Sequence, residues 1–160
     1  MLVSLACLAF LAAASHALKP GDEAWDYVDV RDGAHMFWWL YATTNSSLSV
    51  SSAPTILWLQ GGPGGSSTGF GNFVELGPLD VAQQPRNTTW TNLANVLFVD
   101  NPVGTGYSYV DDEGLLAANG SQIAADLFVT LDAVFSAHSD LQGPFYVFCE
   151  SFGGWMTTAL

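Results

Sequence analysis

Three five-residue runs constrain this chain more than anything else in it: Thr55-Ile56-Leu57-Trp58-Leu59, Asn95-Val96-Leu97-Phe98-Val99 and Phe145-Tyr146-Val147-Phe148-Cys149. Apart from a leading Thr55 or Asn95, each is apolar without interruption, and each stops at a polar or turn-forming sequence beginning at Gln60, Asp100 or Glu150. In the first two, a continuous rather than alternating apolar run predicts a strand covered on both faces, which in turn requires helices packed on it, and the third predicts a strand that ends in a turn. One such helix is expected from Ser121 as N-cap to about Ala137, because Ile123, Leu127, Leu131, Val134 and Phe135 recur at three- and four-residue steps. A helix between two apolar strands predicts a crossover with those strands as parallel neighbours. Upstream, Trp25 to Arg31 alternates, Asp32-Gly33 is a hairpin turn, and His35 to Tyr41 is a second strand. The expected fold is α/β: a mixed sheet with an antiparallel start, whose chemistry gathers at the carboxyl ends of the parallel strands.

Composition narrows the function. The 160 residues are 49% hydrophobic, enough for a globular core, and no repeat or linker divides residues 18–160. A formal charge of -12, with Lys19, Arg31 and Arg86 as the fixed cations, leaves no basic patch to track phosphates. Nucleic acid and anionic membranes are thereby excluded as partners. Residues 1–17 read as a signal peptide: Leu2 to Ala14 is apolar, and Ser15 and Ala17 fit cleavage after Ala17. That stretch is too short to span a bilayer as a stable helix. Three sequons, at Asn45, Asn87 and Asn119, exceed the one or so that 7 Asn and 25 Ser/Thr in 160 residues predict, and support entry into the secretory pathway. Cleavage removes Cys7 and leaves Cys149, which is either buried and inert or paired with chain outside these residues.

Two motifs carry chemistry. In Val147-Phe148-Cys149-Glu150-Ser151-Phe152-Gly153-Gly154 an apolar strand breaks at a serine flanked by small residues and runs into a helix-compatible segment, the pattern of a nucleophile elbow. Cys149 stands where the usual pattern has its first Gly. In Gln60-Gly61-Gly62-Pro63-Gly64-Gly65-Ser66-Ser67 four glycines follow a buried strand, at an entropic cost to folding. The return is backbone N–H groups that can approach a reacting atom. Gly62 and Phe152 are the expected oxyanion-hole donors. No lysine follows as a phosphate loop requires, and nothing calls for a metal or cofactor.

Taken with Glu75-Leu76-Gly77-Pro78 and Leu97-Phe98-Val99-Asp100-Asn101-Pro102-Val103-Gly104-Thr105-Gly106-Tyr107-Ser108-Tyr109, these blocks resemble the serine carboxypeptidases in order and spacing, across most of residues 25–160. The resemblance implies an α/β-hydrolase fold and serine-type removal of C-terminal residues from peptides, at acidic pH, in a lysosomal, vacuolar or secreted setting. It implies Ser151 as the catalytic serine. It also implies Gln60, Glu75 and Glu150 as the groups that hydrogen-bond the substrate's α-carboxylate. Two carboxyl groups can hold a third only if protons are shared among them, which gives a physical reason for acid activity.

Departures accompany the likeness. Gln60 occupies a position that is often Asn, Gly65 one that is often Cys, and Phe152 one more commonly Tyr. In the family the triad Asp and His follow the serine far downstream, and no residue here matches either; His35 and His138 read as surface or helix-end histidines, and His16 leaves with the signal peptide. Residues 18–160 are therefore expected to be the N-terminal part of a C-terminally truncated carboxypeptidase domain, inactive alone. The other readings are a non-catalytic short product that binds peptide or does not fold stably, and a fragment of a related acyltransferase.

Overall fold

The structure, a computed structural model, describes residues 17–158 and 160. The expected leader lies almost wholly outside them, as do Cys7 and His16. Six strands form one sheet: β1 (Glu23–Arg31), β2 (Ala34–Tyr41), β3 (Thr55–Leu59), β4 (Asn95–Val99), β5 (Tyr109–Val110) and β6 (Phe145–Cys149). Their order is β1-β2-β4-β3-β6, with β5 paired to the start of β2. The pairs β1–β2 and β2–β4 are antiparallel. Those of β3 with β4 and with β6 are parallel. The mixed sheet with an antiparallel start is thus as read from the sequence, and β3, β4 and β6 coincide with the three apolar runs.

One detail of topology differs. The helix α1 (Gly120–Ala137) does cross over from β4 toward β6, but those strands are not neighbours, because β3 lies between them and pairs with both. A crossover can skip a strand without leaving any trace in hydrophobic periodicity. The helix also starts earlier than expected. Asn119, not Ser121, is the N-cap, its side chain accepting from the Gln122 N–H, and Asn is among the strongest capping residues.

The two faces of the sheet bury different chemistry. On one, Met36, Leu40, Leu57, Leu59, Leu97 and Val99 meet Ile123, Leu127, Leu131 and Val134 of α1 and Met156 of α2 (Phe152–Thr157). Leu127 is fully buried, and such side chains contribute about 1.5–3 kcal/mol each. Arg31 ties β1 to this helix through a bidentate pair with the buried Asp126, Nε–Oδ1 2.8 Å and Nη2–Oδ2 3.0 Å. On the other face Tyr41, Trp58, Val96 and Phe98 meet Leu76, with Trp39 and Trp90 against them. Leu76 ends a ten-residue helix of wide, π-type winding, Ser67–Leu76, that periodicity does not announce because Gly69 and Gly71 interrupt its pattern.

Alternation explains the split: within β3, Leu57 and Leu59 face α1 while Trp58 faces the Ser67–Leu76 helix. The carboxyl ends of β3, β4 and β6 come together at one end of the sheet. They deliver Gln60, Asp100 and Glu150.

Candidate active site

Ser151 follows β6 in a conformation that L-residues avoid, φ 49° and ψ -116°, and only one other described non-glycine residue, Gln83, has a positive φ. Such backbone costs on the order of 1–3 kcal/mol and persists only where its surroundings enforce it. They do so here. Glu150 N–H donates to Leu59 O at 3.1 Å, Gly153 N–H to Glu150 O at 2.8 Å and Gly154 N–H to Ser151 O at 3.0 Å, so the chain reverses sharply into α2. A Cβ on Gly153 would lie 2.4 Å from Leu59 O, which is why a glycine must stand two residues after the serine. Cys149, at the other flank, is a half-buried free thiol. The serine itself is exposed at the top of the sheet.

The glycine-rich loop closes against this turn. A Cβ on Gly61 would lie 2.5 Å from Glu150 Oε2 and 2.9 Å from Ser151 Cβ, so the bare Gly61 backbone abuts the serine. Gly62, at φ +120°, holds a conformation that side chains resist. Gly65 N–H donates to Gly61 O at 2.9 Å and Gln60 N–H to Ser67 Oγ at 3.0 Å. Among the described residues, neither the Gly62 nor the Phe152 N–H makes a protein hydrogen bond.

Gln60 is buried, and its Oε1 accepts from the Trp58 indole N–H at 2.9 Å. An indole N–H only donates, so this contact fixes the amide orientation and leaves its NH₂ for other partners. Gly71 makes room, since a Cβ there would lie 2.5 Å from Trp58 Nε1. Glu75 arrives on the Ser67–Leu76 helix with Oε2 buried and unpartnered. Burial pushes its pKa up, the nearby Glu150 carboxylate pushes it further, and the Gln60 amide partly offsets both. Gln60, Glu75 and Glu150 therefore share one electrostatic environment beside Ser151, although Glu150 lies far from the other two along the chain.

The histidines stand elsewhere. His35 Nδ1 is 2.6 Å from Asp29 Oδ1 and its ring stacks on Tyr109, while His138 caps the end of α1 edge-on against Trp38. Burial lowers the His138 pKa. No group of three or more metal-ligating side chains occurs among the described residues. Of the sequon asparagines, Asn87 and Asn119 are exposed and Asn45 is half-buried. Sequence reasoning noted Asp100 only as a residue after a strand. Its four hydrogen bonds around the site had one available signal, a lone carboxylate directly following a buried strand.

The model of the serine carboxypeptidase family matches residues 16–160. The chain belongs to the serine carboxypeptidase family. It is 56% identical over 143 residues to the human retinoid-inducible serine carboxypeptidase, covering 89% of this chain and 32% of that protein. It is 46% identical over 144 residues to serine carboxypeptidase-like 51 of Arabidopsis thaliana, covering 88% and 31%. The chain thus spans about a third of the length of these carboxypeptidases. Among solved structures, a peroxisomal alpha-beta-hydrolase of Saccharomyces cerevisiae superposes with a TM-score of 0.54 at 16% identity, covering 86% of this chain and 39% of that one. A proline iminopeptidase-related protein of Thermus thermophilus gives 0.52 at 19% identity, with the same coverage. The α/β-hydrolase fold expected from the sequence is the fold of this serine carboxypeptidase chain.

Proposed function

We propose that this chain is the N-terminal part of a serine-type carboxypeptidase that releases C-terminal residues from peptides through an acyl-enzyme on Ser151. The observation that carries the reading is the left-handed Ser151 on a strand-to-helix turn, with the bare Gly61 backbone against it and three carboxylate-recognition candidates alongside. Ser151 Oγ attacks the scissile carbonyl carbon, a proton passes to the base, and the C–N bond breaks as the amine leaves with that proton. Water then cleaves the ester and regenerates the serine. Gly62 and Phe152 N–H groups receive the developing oxyanion, for which unpaired donors are required. Gln60, Glu75 and Glu150 receive the substrate's α-carboxylate. The raised pKa of Glu75 supports proton sharing at acidic pH.

In this reading the base and its carboxylate partner come from chain following residue 160, and the 160 residues alone do not turn over peptide. Both described histidines are engaged away from Ser151, which favours this over a complete triad within the chain. Residues 1–17 direct the protein into the secretory pathway, to a secreted or lysosomal or vacuolar destination, with glycans on Asn45, Asn87 and Asn119. An acyltransferase reading keeps the same serine and changes only the acceptor. No described helix is long and apolar enough to cross a membrane.

Sequencing the transcript beyond codon 160 tests the first part: downstream Asp and His codons are expected, and a stop codon there removes the enzyme reading for this product. A fluorophosphonate probe tests the second. Full-length protein is expected to label at Ser151, and equal labelling of a Ser151→Ala variant would refute the assignment.

A further inference from the structure

A loop made of four glycines and a proline has almost no side chains with which to hold itself in place, yet an oxyanion donor must stand within a few tenths of an ångström of its working position. Its anchor must therefore be borrowed from elsewhere. In this protein the lender is Asp100, at the carboxyl end of β4 and fully buried. Its Oδ1 accepts from Ser66 Oγ at 2.9 Å and from Thr68 N–H at 3.0 Å, and its Oδ2 from Thr68 Oγ1 at 2.6 Å and from Tyr107 N–H at 2.9 Å. All four donors are neutral. Ser66 and Tyr107 stand in the two loops at the site end of the sheet, and Thr68 in the first turn of the Ser67–Leu76 helix.

We infer that Asp100 is the positioning residue for the oxyanion-donor loop. The inference rests on the reading of Ser151 as nucleophile and of Gly62 as an oxyanion donor. The loop from Gln60 to Ser67 is pinned twice: at its start Gln60 N–H donates to Ser67 Oγ, and at its end Ser66 Oγ donates to Asp100. Between the two pins Gly65 N–H closes on Gly61 O, so the place of Gly62, next to the Gly61 that abuts Ser151, follows from where Asp100 holds Ser66. Ser66 has a second duty, capping the Ser67–Leu76 helix by accepting from Gly69 N–H at 2.8 Å. The second loop is shaped to the same carboxylate. Gly106 has φ +54°, and a Cβ there would lie 2.2 Å from Asp100 Oδ2 and 2.6 Å from Ser66 Oγ, so only glycine lets Tyr107 reach its bond.

The carboxylate-recognition side chains have fastenings away from Asp100: Gln60 Oε1 accepts from Trp58, and Glu75 lies at the far end of the Ser67–Leu76 helix from Ser66 and Thr68, where Arg86 donates to Phe73 O and Thr89 to Leu76 O. A positioning role therefore predicts a split that a general loss of folding would not produce. In full-length protein, Asp100→Asn keeps the shape but turns an NH₂ toward donors, and Ser66→Ala removes one of the four bonds to Asp100, with the cap to Gly69, and leaves the carboxylate intact. The expected result is a fall in kcat of about 100-fold for the first, the scale of losing one oxyanion donor, and of about 10-fold for the second. KM for a short peptide with a free α-carboxylate is expected to stay within about threefold, and the fluorophosphonate acylation rate to fall in parallel with kcat.

Unchanged kcat in the folded variants, or a raised KM with kcat intact, would overturn the inference while leaving Ser151 in place. If Asp100→Asn does not fold, Ser66→Ala decides alone by the same criteria. Wild-type protein that fails to label at Ser151 brings down the parent reading, and this inference with it.

Discussion

Two carboxylates stand on either side of one glycine-rich loop and are treated in opposite ways. Asp100 is fully buried and saturated by four donors, whereas Glu75 is half-buried, has one oxygen unpartnered, and sits in the field of Glu150. A buried carboxylate with every lone-pair direction used stabilises the fold and has nothing left to offer a ligand. One left short of donors costs stability and retains an affinity for whatever brings a proton or a donor to it. Position in the sheet does not separate them, since both lie at its carboxyl end. Satisfaction does.

That contrast can be broken most directly by removing each carboxylate. Asp100→Ala strands four donors, each worth about 1–3 kcal/mol when buried alone, so a loss of about 4 kcal/mol or more is expected in urea unfolding. Glu75→Gln is expected to change stability by less than about 1 kcal/mol, or to raise it, because the variant loses a carboxylate that is short of partners. Equal losses would mean the two groups are alike. Activity should reverse the ranking of the milder changes: under the proposed reading Glu75→Gln raises KM for free-carboxylate peptides about 10- to 100-fold, the scale of one charge-assisted hydrogen bond, read by steady-state kinetics. A KM equal to wild type would remove Glu75 from substrate recognition.

The smaller effects are in pH dependence. Glu75 has a folded pKa above its ordinary 4.5, so its contribution to stability is fully present below 4.5 and is lost as pH rises through the raised value. The Glu75→Gln variant should show a flatter melting-temperature profile across that window. His35 behaves alike in sign for a different reason: its hydrogen bond to Asp29, with Asp111 close by, raises it above 6.5, and that stability is present below 6.5 and lost as pH rises through the folded value. His35→Gln should flatten the profile above 6.5 and leave the acidic side unchanged. A wild-type melting temperature that climbs through either window contradicts the sign.

Much of the fold was legible for simple reasons. Strands β3 and β4 are covered by packing and so appear as apolar runs, β6 is an equally apolar run although it stands exposed at the sheet's edge, and Asp32-Gly33 marks the β1–β2 hairpin. The place of β3 between β4 and β6 was not legible, because strand order is decided by pairing partners far apart in sequence. The Ser67–Leu76 helix was hidden by its glycines, and with it the route by which Glu75 reaches Gln60 and Glu150. Their grouping followed from resemblance alone. The elbow was readable because its strain demands small residues at fixed offsets. Asp100 was not, since nothing about a single aspartate announces how many donors will converge on it.

The left-handed backbone at Ser151 sets two selections against each other. Glycine would relieve that conformation, whereas under the proposed function the position needs a residue whose oxygen can be acylated. A variant library sorted on resistance to heat should enrich glycine at 151, and the same library sorted on covalent capture should hold serine. The position is thus a point at which the protein's history can be read: wherever serine persists against that pull, turnover rather than durability has been the quantity under selection.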